Sequence, residues 1–444
     1  MSLDFSKDFL FGCATASYQV EGASFEDGRK PCIWDTFAAI PGKVFCGDDG
    51  KVSVDQYHRY KEDIELMDSL GIQAYRFSIA WPRIIPNGRG EVNPKGIEYY
   101  RNLCKELHKH GMKAYATIYH WDLPQSLQDE GGWTNRQIAY DYLEYAKVLF
   151  DNLSDVVDSW ITINEPFCIT WLSYLYGAHA PGYQDMNLAT KAVHHVNLAH
   201  GLAMKYYREK GYKAPIGITV NPQTPRPATR KQCDIDAAKL SRALETEAFL
   251  GPYTGKGYPE ILTKTYGITF PIQDGDMELI STKVDFFGVN YYNEYPVSAS
   301  KSKPLGFEQQ PFWERRTDIG WPCDCEGLLR QLKWLDKYTN HTPLYITENG
   351  SAEDDKLTLD NRVHDKERIN YIYNHLKACS QAIKEGVDLR GYFVWSFIDN
   401  YEWTEGYSKR FGIVYADYKT LKRYPKDSAY FYRDVIAGYG EVDM

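Results

Sequence analysis

Two glutamates end short apolar runs of this sequence and could do chemistry together. Glu165 ends the run 159–165, and Glu348 ends the run 343–348. Two carboxyl groups on different strands can supply the general acid and the nucleophile that cleave a glycosidic bond. The pair therefore predicts acid–base and nucleophilic work on a sugar, provided that the fold brings the two runs to one place.

Other runs carry side chains that suit a sugar ligand. Sugar hydroxyl groups need partners that donate and accept hydrogen bonds, and the apolar faces of sugar rings pack on aromatic side chains. Residues of these types within the runs, at their ends or just after them are Gln19, Arg76, His120, Trp121, Asn164, Asn290, Tyr292, Trp395, Glu402 and Trp403. A rim that served only stability would not need this combination, so we predict a carbohydrate-binding pocket.

Eight near-continuous apolar runs must position these side chains. Such runs are typical of strands buried on both faces. The eight runs are 9–16, 74–81, 113–120, 159–165, 215–221, 284–292, 343–348 and 391–397. Amphipathic stretches with a period near 3.6 residues lie between them and predict helices. These stretches are 55–70, 94–110, 135–153, 188–210 and 365–385.

Alternating strands and helices predict an α/β fold with parallel strands and right-handed crossovers. Eight such units that close on themselves form a (β/α)8 TIM barrel, whose active site lies at the carboxyl ends of the strands. The main alternative is a doubly wound open sheet, but its usual glycine-rich first turn does not occur in this sequence. We predict a single catalytic domain over residues 1–444, with long loops that form the active-site pocket. The long loops are 31–52, 224–233, 296–322 and 351–362.

The composition excludes several classes of protein. The chain of 444 residues is 43% hydrophobic and 15% aromatic, which suits a large folded core rather than disorder. Its net charge is −9 and no Lys/Arg cluster occurs, so no nucleic-acid partner is expected. No long apolar window predicts a membrane span, and the first residues do not resemble a signal peptide. Nine scattered cysteines without a CxxC pair fit a reducing compartment, so we predict a cytoplasmic protein.

Three motifs occur in order along the chain. Residues 11–22 read FGCATASYQVEG, residues 162–166 read TINEP, and residues 346–350 read ITENG. Together they resemble the motifs of glycoside hydrolase family 1, the retaining β-glucosidases, and the resemblance extends from Phe9 to about Tyr432. One motif alone would be moderate support, whereas three in order at the spacing of a barrel are strong.

The resemblance implies a role for each candidate residue. Glu348 resembles the nucleophile and Glu165 the acid/base, while Arg76, Tyr292 and Asn290 resemble the residues that support the nucleophile. The residues that would bind the sugar are Gln19, His120, Trp121, Asn164 at the 2-hydroxyl, Trp395 beneath the ring, Glu402, Trp403, and Trp321 on the leaving-group side. Arg76 should keep Glu348 ionised, so the proton of the pair should reside on Glu165. Neither a metal nor an organic cofactor is implied.

Two segments depart from the pattern of the resembled family. Phe167 follows the TINEP motif where many members have tryptophan, and residues 322–325, PCDC, replace a more usual acidic and aromatic stretch. Both are expected on the leaving-group side of the pocket. They therefore bear on which leaving group is preferred, and not on the reaction.

Several other features have ordinary structural interpretations. His194, His195 and His200 lack the HExxH spacing of a zinc site and are predicted to be structural. Cys323 and Cys325 are too few to hold zinc. Tyrosines on the predicted outer helices are expected to pack rather than to bind ligand. These are Tyr99, Tyr100, Tyr140, Tyr142 and Tyr145.

The leading functional hypothesis is hydrolysis of terminal β-glucosyl residues by double displacement. The expected substrates are cello-oligosaccharides and aryl or alkyl β-glucosides, with galactosides and fucosides as further candidates. One alternative is a 6-phospho-β-glucosidase, against which the charge of Glu402 argues, although Lys409 and Arg410 lie nearby in sequence. Another alternative is a non-catalytic sugar-binding barrel, which would require the loss of Glu165 or Glu348.

Overall fold

The computed structural model describes residues 3–440 and contains a closed barrel of eight parallel strands. The strands are β1 Leu10–Ala14, β2 Ala74–Ser78, β3 Lys113–Tyr119, β4 Ser159–Asn164, β5 Ile216–Val220, β6 Phe286–Asn290, β7 Leu344–Asn349 and β8 Leu389–Trp395. Each strand pairs with its neighbours in chain order, and β1 pairs with β8 to close the barrel. The predicted (β/α)8 TIM barrel is confirmed, and each strand lies on one of the eight predicted runs.

Helices surround the barrel, and all five predicted helices form with ends within two residues of the expected ones. These five are Gln56–Ser69, Pro94–Lys109, Gln137–Leu153, Met186–Lys210 and Lys366–Lys384. The other α-helices are Ser17–Val20, Ile33–Ala38, Trp81–Ile84, Gln125–Asp129, Gln232–Arg242, Ala248–Tyr253, Glu260–Tyr266, Asp276–Ile280, Cys325–Tyr338 and Asp427–Ala437. The remaining helical segments are of two kinds. The 3-10 helices are Phe45–Gly47, Gly132–Thr134 and Trp403–Glu405, and the π-helices are Cys168–Leu175 and Ala243–Glu247.

Two small antiparallel hairpins lie in the loops outside the barrel. Val297–Ala299 pairs with Phe307–Gln309 in the loop that follows β6, and Val414–Ala416 pairs with Arg423–Pro425 after β8. The first hairpin is fixed to the body of the protein, because the Ala299 amide donates to Asp234 Oδ1 at 2.9 Å and the Tyr266 hydroxyl donates to the Leu305 carbonyl at 2.8 Å.

The tyrosines of the outer helices seal the layer between helices and barrel. Tyr145 stacks on Trp81 at 4.7 Å between ring centroids, and its hydroxyl donates to the carbonyls of Ile79 and Ile118. The predicted packing role is confirmed for the buried rings, which are Tyr99, Tyr100, Tyr142 and Tyr145. It is wrong for Tyr140, which is 40% exposed on the outer face of its helix.

A buried ionic cluster fixes the loops that follow β7 and β8. Lys426, which is fully buried, donates to Asp399 Oδ1 at 2.7 Å and also contacts Asp355. Arg368 contacts Asp355 at 2.6 Å, and Arg410 contacts Asp399 at 2.6 Å. Because each buried charge has an opposite partner, the cluster is satisfied and holds both loops in place over the barrel mouth.

Further sequence predictions concern membrane spans, the cysteines and the number of domains. No helix within residues 3–440 is long and apolar enough to cross a membrane. All nine cysteines are free thiols. The single domain over residues 1–444 stays a prediction, and its first two and last four residues lie outside the described range.

Candidate active site

A pocket of about 390 Å³ opens at the carboxyl ends of the barrel strands. It brings together residues of β6, β7 and β8 and of the loops that follow β3, β4, β5, β6 and β8. The predicted site residues that line it are His120, Trp121, Glu165, Asn290, Tyr292, Trp321, Glu348, Trp395, Glu402 and Trp403. Gln19, Arg76 and Asn164 are fully buried beside this lining and form hydrogen bonds with it. All thirteen predicted residues therefore meet at one site.

Glu348, at the end of β7, is held on both of its carboxyl oxygens. Arg76 Nη1 lies 2.6 Å from Oε1, and the Tyr292 hydroxyl donates to Oε2 at 2.6 Å. Burial raises the pKa of Glu348, whereas Arg76 and Tyr292 oppose this rise by stabilising the carboxylate. Only this carboxyl group of the pair has a guanidinium in direct contact among the described residues.

The guanidinium of Arg76 is itself held rigidly by its surroundings. It donates to Asn164 Oδ1 at 2.6 Å, to the Thr347 carbonyl at 3.1 Å and to Thr117 Oγ1 at 3.2 Å. Asn164 in turn places its amide nitrogen 3.1 Å from His120 Nε2. Burial lowers the pKa of His120 well below its ordinary value, so this imidazole is neutral at pH 7 and can accept the bond.

Glu165, directly after β4, has neutral donors only. Asn290 Nδ2 donates to Oε1 at 2.7 Å, and the Cys168 thiol donates to Oε2 at 3.1 Å. Burial, and next the charge of Glu348, raises the pKa of Glu165 to about 7. Asn290 was expected to support Glu348; it lowers the pKa of that carboxyl group, and its short hydrogen bond is to Glu165. The proton of the pair therefore lies on Glu165.

Glu402, in the loop after β8, is a third carboxyl group of the pocket. Gln19 Nε2 lies 3.4 Å from its Oε2 and also donates to Asn400 and to the Tyr401 carbonyl. Burial, together with the charges of Glu348 and Glu165, raises the pKa of Glu402 to about 8. At pH 7 Glu402 therefore carries less negative charge than an isolated glutamate would, because burial and the neighbouring carboxyl groups disfavour its ionised form.

Aromatic rings form the walls and the floor. Trp403 packs against Trp121 at 4.5 Å and against Trp34 at 4.7 Å between centroids. Trp321 packs against Tyr292 at 5.3 Å and against Phe411 at 5.9 Å. These flat rings suit the apolar faces of a sugar.

Three of the pocket residues have a strained backbone. Trp121, Glu165 and Trp403 have φ angles of 75°, 51° and 51°, in the left-handed region that favours glycine. Such a conformation costs about 1–2 kcal/mol for a residue with a side chain. The surrounding hydrogen bonds and ring packing hold these residues so that the side chains turn into the pocket at the ends of their strands.

Several residues of the lining were not predicted from the sequence. These are Cys168, Leu172, His179, Asn221, Gln223, Asn293, Ile319, Thr404, Glu405 and Phe411. Cys168 was detectable, because it lies three residues after Glu165 on a helical segment and such neighbours share one face. His179 and Phe411 carried no signal, since long loops bring them to the pocket.

The two departures from the family pattern have different positions. Phe167 lines the pocket as predicted. Residues 322–325 do not line it: Asp324 accepts the Gly327 amide at 2.8 Å and caps the helix Cys325–Tyr338. This stretch is therefore not part of the pocket lining, because its polar residue is used to begin a helix, and its place on the leaving-group side stays a prediction.

The histidines of the helix Met186–Lys210 are structural, as predicted. His194 contacts Asp276 at 2.8 Å, His195 contacts the Trp133 carbonyl at 2.9 Å, and His200 contacts Thr162 Oγ1 at 2.8 Å. Within residues 3–440, no group of three His, Cys, Asp or Glu side chains could hold a metal ion.

Comparison with known proteins agrees with this geometry. The profile of glycosyl hydrolase family 1 matches residues 1–441. Beta-glucosidase A of Thermotoga maritima is 46% identical over 444 residues, 99% of either chain. The crystal structure of the AHE enzyme from Alicyclobacillus herbarius is 45% identical with a TM-score of 0.95, over 98% of this chain and 99% of that one. The structure of Thermotoga maritima beta-glucosidase in complex with deoxynojirimycin is 44% identical with a TM-score of 0.96, over 99% of each chain. With its barrel, its paired glutamates and these matches, the chain belongs to glycosyl hydrolase family 1 and is a glycoside hydrolase.

Proposed function

We propose that the protein is a retaining β-glucosidase with Glu348 as nucleophile and Glu165 as acid/base. The observation that carries this proposal is the unequal surroundings of the two carboxyl groups. Glu348 is bound by Arg76 and Tyr292 on its two oxygens, whereas Glu165 is bound by Asn290 and Cys168, which are neutral. Two carboxyl groups whose environments push their protonation states apart fit the two roles of a glycosidase.

In the first half of the reaction, Glu348 attacks the anomeric carbon of the bound glucoside. Glu165 transfers its proton to the glycosidic oxygen, so the leaving group departs as a neutral alcohol. The products are a glucosyl ester of Glu348 and ionised Glu165. Tyr292 and Arg76 hold the attacking carboxylate in place and keep it ionised before the attack.

In the second half, Glu165 acts as a base. Formation of the ester removes the charge of Glu348, so the repulsion that raises the pKa of Glu165 disappears. Ionised Glu165 takes a proton from water, and the resulting hydroxide attacks the anomeric carbon and releases Glu348. The donors Asn290 and Cys168 stabilise the charge that Glu165 carries during this half.

The first prediction is overall retention of anomeric configuration. Two inversions at one carbon restore the starting configuration, and this requires carboxyl groups about 5–5.5 Å apart. Proton NMR of the first sugar released from a β-glucoside should show the β-anomer, before mutarotation produces the α-anomer. An α-anomer as first product would mean that water attacks directly, and the proposed role of Glu348 would be wrong.

The second prediction is a bell-shaped dependence of kcat/KM on pH. Turnover requires protonated Glu165, so kcat/KM should fall about tenfold per pH unit above pH 7, the value to which burial and Glu348 raise the pKa of Glu165. The acid limb should reflect Glu348, whose pKa burial places above the ordinary value. Because the two carboxyl groups interact, each limb of the pH profile reports an apparent pKa of the pair rather than of one residue. Steady-state rates across the pH range test this prediction. In Glu165→Gln the alkaline limb of the profile should disappear. If the alkaline limb persists in this variant, it arises from the titration of another group.

We propose terminal, non-reducing glucose as the preferred sugar. A pocket of about 390 Å³ with aromatic walls accommodates one hexose and the start of a leaving group. Relatives named as beta-glucosidases support this choice. A panel of p-nitrophenyl β-glucoside, β-galactoside and β-fucoside, together with cellobiose and cellotetraose, should show the highest kcat/KM for glucosides. Absence of activity on all of these compounds would contradict the proposed β-glucosidase function.

The third prediction concerns glucosides phosphorylated at the 6-hydroxyl. The nearby cations are already engaged, because Lys409 contacts Asp318 at 3.0 Å and Arg410 contacts Asp399 at 2.6 Å. A phosphate dianion would therefore lie close to Glu402 and in the same pocket as the carboxylate of Glu348, and these two cations are not free to pair with it. We therefore expect kcat/KM for p-nitrophenyl glucoside to exceed that of its 6-phosphate by at least about tenfold.

Glu402→Ser tests the origin of this preference. The substitution should narrow the gap between the two substrates, mainly by weakening the free glucoside, which loses an acceptor for its hydroxyl groups. Glu405→Ser removes another carboxyl group that lines the same pocket, and the gap between the two substrates in this variant is the matched comparison. Equal or faster turnover of the 6-phosphate by the unmodified protein would contradict the proposed substrate class.

We also propose a cytoplasmic location. The nine cysteines are all free, and five of them are buried, which fits a protein that folds in a reducing compartment. Fractionation of the source cells should place most of the β-glucosidase activity with cytosolic markers. Recovery of most of the activity from the medium would contradict this location.

A further inference from the structure

A short chain of hydrogen bonds joins the segments at the carboxyl ends of the three neighbouring strands β1, β2 and β3. Ser17, which follows β1, donates from its hydroxyl group to Asp122 Oδ2 at 2.8 Å. Ser78, at the end of β2, donates to Ser17 Oγ at 3.0 Å and accepts the Ser17 amide at 2.7 Å. All three side chains are buried, so water does not compete for these bonds. We call Ser17, Ser78 and Asp122 the serine–aspartate clasp.

The clasp connects two segments that carry predicted sugar-binding residues. Gln19 lies in the short helix that begins at Ser17. His120 and Trp121 directly precede Asp122, and both line the active-site pocket. The bond between Ser17 and Asp122 therefore ties the segment of Gln19 to the turn of His120 and Trp121.

The turn that precedes Asp122 is strained and needs restraint. Trp121 has a φ angle of 75°, and a residue with a side chain keeps such a conformation only where its surroundings determine it. Its indole nitrogen donates to the Asn164 carbonyl at 3.0 Å, which fixes the side chain. The bond from Ser17 fixes Asp122, the next residue along the backbone. Loss of that bond would free the turn to relax and to shift the two pocket residues that it carries.

The other side of the clasp is fixed independently. Gln19 Nε2 donates to Asn400 Oδ1 at 3.1 Å and to the Tyr401 carbonyl at 2.9 Å, so the loop after β8 also holds this residue. The segment of Gln19 should therefore stay in place when the clasp is broken. The turn that carries His120 is the part that the clasp restrains.

Stability alone does not explain Asp122. The side chain is fully buried, and its Oδ1 has no hydrogen-bond partner among the described residues. Burial raises the pKa of Asp122 to about 7, although the hydrogen bond from Ser17 opposes this rise. A buried carboxyl oxygen without a partner costs stability. This cost favours a role of Asp122 at the adjoining pocket over a role in stabilising the fold.

We propose that Asp122 is a positioning residue for sugar binding. Through its bond with Ser17 it holds the turn of His120 and Trp121 in the place where His120 binds a hydroxyl group of the sugar. The proposal rests on the proposed β-glucosidase function and adds a residue that acts on sugar recognition without touching the sugar. Neutral imidazole offers one donor and one acceptor, so its bond to a hydroxyl group depends on its exact position.

The first measurement compares p-nitrophenyl β-D-glucoside with its 3-, 4- and 6-deoxy analogues. His120→Ala identifies the hydroxyl group that His120 binds, because the analogue that lacks this group is affected least. Asp122→Ala should lower kcat/KM for the parent glucoside about tenfold, the effect of one lost hydrogen bond. For the analogue identified with His120→Ala, the loss should be less than about twofold. A merely structural role would lower kcat/KM for all four substrates alike.

Two further substitutions assign the effect to the bond between Ser17 and Asp122. Asp122→Asn keeps an oxygen that accepts from Ser17, so its kcat/KM should stay within about threefold of the unmodified protein. Ser17→Ala removes the same bond from the other side and should reproduce the pattern of Asp122→Ala; it also tests the proposal if Asp122→Ala does not fold. Because both changes remove one interaction, the double variant should be no worse than the poorer single variant.

Glu245 provides the matched control. It is 8% exposed, accepts a hydrogen bond from one serine, Ser241, at 2.7 Å, and burial raises its pKa to about 7. Glu245→Ala thus removes a similar buried pair of carboxyl group and serine. Glu245 does not belong to the lining of the active-site pocket, so the ratios of kcat/KM between the parent glucoside and its analogues should stay unchanged.

Binding of p-nitrophenyl 1-thio-β-D-glucoside, which resists hydrolysis, separates this proposal from the proposed function. Calorimetry should show about tenfold weaker binding by Asp122→Ala, whether or not glucosides are turned over. Absence of turnover by the unmodified protein would contradict the proposed function alone.

Three results would overturn the positioning role. One is an equal loss on all four substrates in Asp122→Ala or Ser17→Ala, and another is full activity and full thioglucoside affinity in both variants. The third is an equal loss on all four substrates in His120→Ala, because His120 would then bind no single hydroxyl group that the clasp could position.

Discussion

Glu348→Ala should lower turnover of β-glucosides by roughly five orders of magnitude, the largest effect that we expect of any single substitution. The carboxylate of Glu348 forms the covalent bond to the sugar, and no other group in the pocket is held by both Arg76 and Tyr292. Azide is small enough to enter the space that the side chain leaves. It should restore part of the activity on an activated aryl glucoside and give the α-glucosyl azide, because a single displacement inverts the anomeric centre.

The fold should survive this substitution. Arg76 keeps its bonds to Asn164, Thr347 and Thr117, so its charge is not left without partners. Near-ultraviolet circular dichroism and thermal unfolding check this point. Glu353→Ala, which removes a carboxylate paired with Arg315 outside the pocket, should keep full activity. Formation of the β-azide by Glu348→Ala would mean that Glu348 is the acid/base and would reverse the assignment.

Glu165→Ala should have an effect that depends on the leaving group. A positioned general acid contributes about 100- to 10,000-fold when the leaving alcohol needs a proton. We therefore expect kcat/KM for methyl glucoside to fall by roughly three orders of magnitude, and kcat/KM for 2,4-dinitrophenyl glucoside to fall by less than about tenfold. The glucosyl enzyme should then accumulate, since no base activates water. Azide should accelerate its breakdown and give the β-glucosyl azide.

A buried glutamate outside the pocket controls for the loss of a buried carboxyl group. Glu294 is 1% exposed and contacts Thr224 and Arg330, so Glu294→Gln should not change the dependence on leaving group. Glu165→Gln should behave like Glu165→Ala with the methyl and dinitrophenyl substrates. Equal losses with both substrates in the Glu165 variants would show that Glu165 does not protonate the leaving group.

The barrel was predictable because its signal is local and repeated. Strands such as Ile216–Val220 are buried on both faces and are therefore nearly continuously apolar, and helices such as Pro94–Lys109 show one apolar face in the sequence. The closed barrel then follows from eight repeats of one unit. The π-helix Cys168–Leu175 and the hairpin Val297–Ala299 with Phe307–Gln309 were not predicted, because each is stabilised by contacts with distant segments.

Which of these residues meet at the site was also predictable from the repeated pattern of strands. The carboxyl ends of parallel strands meet at one face of a barrel, so Glu165, Asn290 and Glu348 had to converge once the fold was assigned. Their exact partners were not predictable. Asn290 donates to Glu165, and Cys168 contacts the same carboxyl group, because of side-chain directions that only the packed structure determines.

The sequence by itself determined the barrel, the two glutamates that we propose to react and many of the polar and aromatic residues around them, because residue type and position along a strand can be read from it. The tertiary structure alone decided the protonation of the pocket and its extent. Glu402 has a pKa of about 8 because burial and two other carboxyl groups act on it, and residues distant in sequence supply those conditions. The pocket extends as far as it does because long loops bring His179 and Phe411, far apart in the chain, into its lining. Burial and distance between remote residues are properties of the folded chain, and no local pattern encodes them.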